Sequence, residues 1–279
     1  MNLGKLRKSR RTVTIAVAFA GLVSLAIGAH AALNKRSIDV AKAIGTEQTG
    51  SIGSTANRVA LVIGNGHYPD ASAPLSQPIN DARGLTAALR GKGFDVDVVE
   101  DATKDDMARA IVRLKAKIKP DTVAMLFFGG YGVQVGRESF MIPVDAAIWK
   151  EGDVRRDGVS IEQVLDAMTE KGAKAKLVVV DASRRNPYER RFRSYSHGLA
   201  PISTPDNALI LTSATPGKVA DDGNGQYSVL VTELLNNLNS QAGAASAFNK
   251  TRISVSRASE GEQVPQVSSS LMEDVRIGG

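Results

Sequence analysis

The sequence contains no cysteine. That removes disulfides, thiolate nucleophiles and thiolate metal sites, and it suits an oxidising compartment. Histidine occurs three times in 279 residues, as His30, His67 and His197, so a general base near neutral pH has few places to come from. Acidic side chains are missing before Asp39, whereas Lys5, Arg7, Lys8, Arg10 and Arg11 crowd the first eleven residues. The formal charge of +6 rests on those five: without them 30 basic residues stand against 29 acidic ones, a balance of +1. The basic character therefore belongs to the amino terminus and gives no reason to expect a nucleic-acid partner. No internal repeat is present.

That amino terminus has the three parts of an export signal. Basic Lys5 to Arg11 precedes apolar Val13 to Ile27, and Ala29-His30-Ala31 forms a small-x-small cleavage site. Ser9-Arg10-Arg11 also faintly resembles a twin-arginine signal. The apolar stretch from Val13 to Leu33 spans 21 residues with only Thr14, Ser24 and His30 as clearly polar side chains, long enough to cross a bilayer if left uncleaved. The expectation is a signal peptide or anchor over 1–31, a flexible linker over 32–57, and a folded domain over 58–279. That domain would be exported, either periplasmic or anchored in the inner membrane facing the periplasm, with the membrane as partner only if the segment stays uncleaved.

From Arg58 onward, strand-like and helix-like stretches alternate, the mark of a mostly parallel sheet with helices on both faces. Val59 to Ile63 reads as the first strand. A helix capped at Asn80 follows, with Ala82, Leu85 and Leu89 on one face, and Phe94 to Val99 reads as a half-exposed strand near the sheet edge. A second helix repeats Met107, Ile111, Leu114 and Ile118. Ser160 to Met168 is a helix opened by Ser160, Ala208 to Leu211 is a strand, and Tyr227 to Leu238 and Ala244 to Ser256 are helices.

Two strands stand out. Val123 to Phe128 and Leu177 to Val180 are apolar without alternation, as strands covered on both faces are. The first runs into Gly129-Gly130-Tyr131-Gly132, the second into Asp181-Ala182-Ser183-Arg184-Arg185-Asn186-Pro187. Carboxyl ends of parallel strands are where ligands and chemistry gather. Phe127 to Gln134 resembles the Y-[SA]-G-H-G-x-Q loop of the caspase-like peptidases, the bacterial relatives of metacaspases and caspases, and Asp181 to Pro187 is similar to their D-A-C-R-x-N-P loop. The likeness runs from Arg58 to about Leu271 and takes in Val59-Ala60-Leu61-Val62-Ile63-Gly64-Asn65 and Asn80-Asp81-Ala82. It implies an α/β, caspase-like three-layer sandwich.

The same resemblance assigns roles. Tyr131 stands where the family has its general-base histidine, and Ser183 where it has its nucleophilic cysteine. A phenol titrates near 10, so about one part in a thousand is ionised at pH 7, and a serine attacks poorly without a base. The expected function is therefore a pseudo-peptidase that binds peptide or protein segments through Arg or Lys. The alternative is an active Arg/Lys-directed endopeptidase, or a serine hydrolase in which His67 serves Ser183. In the arginine-specific branch of the family the basic side chain is held by two aspartates, which fall here on Asp81 and Asp181, with the backbone around Gly130 and Ser183 supplying donors to a carbonyl. Two carboxylates suit a guanidinium, which they grip through charge-assisted hydrogen bonds. No cofactor is expected, calcium entering only through the family resemblance, and no metal ligands are assigned. Arg184, Arg185, Arg190, Arg191 and Arg193 crowd the loop after Ser183. They read as a solvated charge run, or alternatively as a pseudo-substrate across an acidic cleft or a lure for an acidic partner.

Overall fold

Alternate residues of each central strand point to opposite faces, and in this protein both faces are filled. The computed structural model describes residues 57–69, 74–192, 198–220, 225–238 and 243–277. The expected signal segment, nearly all of the linker, His197 and Arg193 lie outside the described residues. Strand β1 (Arg58–Gly64), β2 (Asp95–Glu100), β3 (Val123–Gly129), β7 (Ala175–Asp181), β8 (Ala208–Thr212) and β9 (Gln266–Ser269) form one sheet in the order β2-β1-β3-β7-β8-β9. All neighbours are parallel except β8 and β9. Leu61, Leu126 and Val178 face one apolar cluster together with α2 (Lys104–Lys117) and α4 (Ile161–Glu170). Val62, Phe127 and Val179 face the other, with α1 (Pro78–Arg90), α5 (Val229–Leu238) and α6 (Ala244–Ala258). Burial on both sides explains why neither β3 nor β7 alternates in polarity.

A second, smaller sheet, one short helix and a 3-10 turn over Glu189–Arg191 complete the described fold. Strands β4 (Gly132–Val135), β5 (Glu138–Met141) and β6 (Val159–Ser160) make an antiparallel sheet, and α3 (Glu151–Asp157) lies between β5 and β6. Helix α1 starts at Pro78 after Gln77, not at an Asn80 cap. Proline fits the first helical position, where no intrahelical N–H bond is lost, and the Asn80 side chain instead donates to the Gln226 carbonyl at 3.3 Å. Strand β2 is the edge strand the alternation suggested, displaced by one residue. Helix α5 begins two residues later than the apolar pattern implied, because Ser228 caps it by accepting from the Val231 N–H at 3.1 Å. Ser160 does cap α4, its side chain accepting from the Gln163 N–H.

Candidate functional site

The carboxyl ends of β1, β3 and β7 finish level: Gly64 pairs with Gly129, and Gly129 with Asp181. Backbone bonding continues past the strands. Asn65 N–H donates to the Gly129 carbonyl at 2.8 Å, Gly130 N–H to that of Asp181 at 3.2 Å, and Gly132 N–H to that of Ala182 at 3.0 Å. Positions 131 and 183 therefore lie side by side, each two residues beyond a paired position. The turn into Tyr131 is too close for a side chain, since a Cβ on Gly130 would stand 2.6 Å from the Tyr68 hydroxyl oxygen. That hydroxyl accepts from the Tyr131 N–H at 3.0 Å and donates to the Ile142 carbonyl at 2.9 Å. The two tyrosine rings meet edge to face at 4.8 Å.

Ser183 is 1% exposed and its Oγ has no hydrogen-bond partner among the described residues. Its N–H donates to Ser213 Oγ at 3.3 Å and its carbonyl accepts from the Ala220 N–H at 2.6 Å. The two donors expected for a substrate carbonyl, Gly130 N–H and Ser183 N–H, are thus both engaged within the chain. His67 sits in a different environment: its side chain is 71% exposed, with Nδ1 2.6 Å from Asp101 Oδ2. Among the described residues Ser183 and His67 make no hydrogen bond, so His67 is not placed as the base that a serine hydrolase requires. A buried hydroxyl without a partner carries a desolvation cost. Ser183→Ala should accordingly raise unfolding free energy by about 1 kcal/mol in urea titrations; a loss of stability would mean the hydroxyl does have a partner.

The acids come together where α1 presses on the sheet. A Cβ on Gly64 would stand 2.4 Å from the Pro78 carbonyl oxygen, and this close approach carries the first turn of α1, with Asp81, to the end of β1. Asp81 is fully buried. Its Oδ1 accepts from the Ser228 N–H at 2.9 Å and its Oδ2 has no partner among the described residues. Asp181 is 3% exposed, and its Oδ2 is likewise unpartnered. Burial, and then repulsion from Asp181, push the Asp81 carboxyl up to about 8, against the pull of the Ser228 amide and of Arg184.

Arg184 is the residue that the sequence hid. It is 5% exposed, not solvated. One terminal nitrogen, Nη1, donates to the Gly130 carbonyl at 2.9 Å and to the Asp181 carbonyl, and lies 3.8 Å from Asp181 Oδ1. The usable signal was its three-residue spacing from Asp181, obscured by the arginines that follow. Arg185 and Arg190 are exposed. Arg191 stacks 4.5 Å from the centre of the Trp149 ring and donates to the Ile148 carbonyl. The basic stretch is therefore not one charged surface. Ser228 and Tyr68, which orient Asp81 and the Tyr131 backbone, were also missed, because neither carries a chemical motif. Among the described residues no group of three or more His, Cys, Asp and Glu side chains could hold a metal ion, and no helix is long and apolar enough to cross a membrane.

A sequence model of the caspase domain matches residues 57–276. The chain belongs to the caspase-domain family. It is 30% identical over 145 residues to the human (Homo sapiens) mucosa-associated lymphoid tissue lymphoma translocation protein 1, and equally so to its Mus musculus homologue. Each alignment covers 51% of this chain and 17% of the relative, so the chain matches about a sixth of those proteins' length. A solved structure described as that of pro-sf-caspase-1 superposes with a TM-score of 0.58 at 15% identity, over 80% of this chain and 94% of the other, a likeness of fold. In this caspase domain Tyr131 and Ser183 stand on adjacent loops beyond the carboxyl ends of β3 and β7.

Proposed function

We propose that this caspase-family domain is a pseudo-peptidase that holds peptide or protein segments through an arginine or lysine side chain, as a binding or regulatory module. One observation carries the reading: Asp81 and Asp181 converge at the end of the sheet, each with a buried oxygen that has no partner among the described residues. Buried carboxylate oxygens without donors fit a site whose donors arrive with a ligand. The missing hydrolysis follows from Tyr131 and from a serine without a hydrogen-bonded base. This reading takes the preceding segment as an export signal, so the module works outside the cytoplasm, in the periplasm or tethered to the inner membrane.

Calorimetry with matched peptides tests it. An arginine peptide should bind at least about thirtyfold more tightly than its norleucine analogue, the equivalent of roughly 2 kcal/mol for a buried charge pair, and Asp181→Asn should erase most of that preference. Equal affinities would leave the two aspartates as ordinary helix and turn residues. Hydrolysis of Arg or Lys peptides that disappears in Ser183→Ala would establish the active-enzyme alternative instead.

A further inference from the structure

Building on that reading, we propose that a basic side chain entering the Asp81–Asp181 pair displaces a proton held there and leaves Arg184 in place, so that capture releases about one proton per guanidinium. The inference starts from charge. Asp81, Asp181 and Arg184 are 0%, 3% and 5% exposed, two acids against one base that keeps its proton under all relevant conditions. With every group ionised the cluster carries a net negative charge out of contact with water, an arrangement proteins avoid by protonation. One proton makes it neutral.

Geometry decides which group the newcomer replaces. Arg184 bridges the Gly130 and Asp181 carbonyls, one on each of the two adjoining loops. Swinging it out would leave buried carbonyls without that donor. The acids are placed differently. Ser228 fixes Asp81 Oδ1, and the remaining oxygens, Asp81 Oδ2 and Asp181 Oδ2, have no donor to lose. Among the described residues the charged groups acting on Asp81 are Asp181 at the end of β7 and Arg184 in the loop beyond it, and the neutral Ser228, just before α5, bonds to it. Tyr68, from the loop after β1, feels the charge of Arg184, and burial keeps its phenol protonated. The exchange balances: a neutral Asp81 carboxyl and an incoming guanidinium become a carboxylate–guanidinium pair, and the proton passes to solvent. Both acids are sealed in this structure, so entry also requires the covering chain, including the Ser228 segment, to part.

Two measurements on the full chain decide the matter. Calorimetry of an acetyl-arginine-amide peptide at pH 7, in phosphate and in Tris, should give binding enthalpies that differ by the buffers' ionisation enthalpies times about one released proton. Affinity should rise about tenfold per pH unit as pH approaches 8, then level off. Tight binding with no released proton would overturn the proposal while leaving the binding reading intact. No binding even at pH 9 would defeat the binding reading. The second measurement needs no ligand: ¹³C titration of the aspartate carboxyls should show one that ionises above pH 6 and is absent from Asp81→Asn. If every carboxyl ionises below pH 5, no proton is stored and the proposal fails. The sign in stability agrees. Asp81 holds its proton in the folded state well above the ordinary value near 4, so its contribution is complete at low pH and lost as pH rises from about 4 to about 8.

Discussion

Arg184→Ala should destabilise the domain by about 3–5 kcal/mol, the usual result of removing one partner from a buried ion pair. The substitution strips a buried cation that acts on Asp81 and lies 3.8 Å from Asp181 Oδ1, and it takes a donor from the Gly130 and Asp181 carbonyls. Urea titration at pH 8 measures it. Lowering the pH to 5 should recover part of the loss, because Asp81 can then carry its proton in the folded state. Adding Asp181→Asn to Arg184→Ala should recover more, since it removes one of the two buried acids left without a cation. If Arg184→Ala behaved like an exposed arginine, within about 0.5 kcal/mol of the parent, the buried triad would not be a structural unit.

Restoring the family's chemistry should have a larger effect still, on rate. In Tyr131→His/Ser183→Cys a thiol and an imidazole would occupy adjacent loops already held together by backbone hydrogen bonds, so the imidazole could take the thiol proton. Hydrolysis after arginine should exceed that of either single variant by on the order of 10³-fold, since a nucleophile and its base act as one unit. The single variants should remain at background. Assays with an arginyl fluorogenic peptide, alongside calorimetry on the same substrate, distinguish the outcomes. A double variant that binds arginine but does not cleave would show that the Ser183 and Gly130 N–H groups stay engaged with Ser213 and Asp181 instead of turning to the substrate carbonyl.

What the sequence disclosed depended on how each residue is buried. Strands β3 and β7 were legible because both their faces are covered, which leaves an unbroken apolar run; the loops beyond them were legible because glycines and the D-A-S-R-R-N-P string are unusual there. Helix α3 escaped because only Val154 and Asp153 are buried in its seven residues, too few to make a period. Strand β4 was hidden by starting inside the glycine loop. Arg184 was misread for a more general reason: exposure follows from three-dimensional neighbours, and four nearby arginines in the chain suggested water where the fold supplies two carbonyls and a carboxylate. Asp81 and Asp181 are 100 residues apart in sequence. The family resemblance suggested that they form a pair, but the two unpartnered oxygens could be seen only in the structure.

The hydrogen bonds that set the spacing of positions 131 and 183 are made largely by main-chain atoms: the N–H groups of residues 131, 132 and 183 and the carbonyls of residues 182 and 183. Such an address survives a change of occupant. A lineage carrying this frame can exchange a reactive pair for an inert one without weakening these bonds, and selection for folding would not oppose the loss. The acid pair has less freedom, because both members are buried beside Arg184 and replacing either changes the charge balance of the cluster. Over generations the occupants of positions 131 and 183 are the easier to change, whereas the buried acids and Arg184 are tied to the survival of the fold itself.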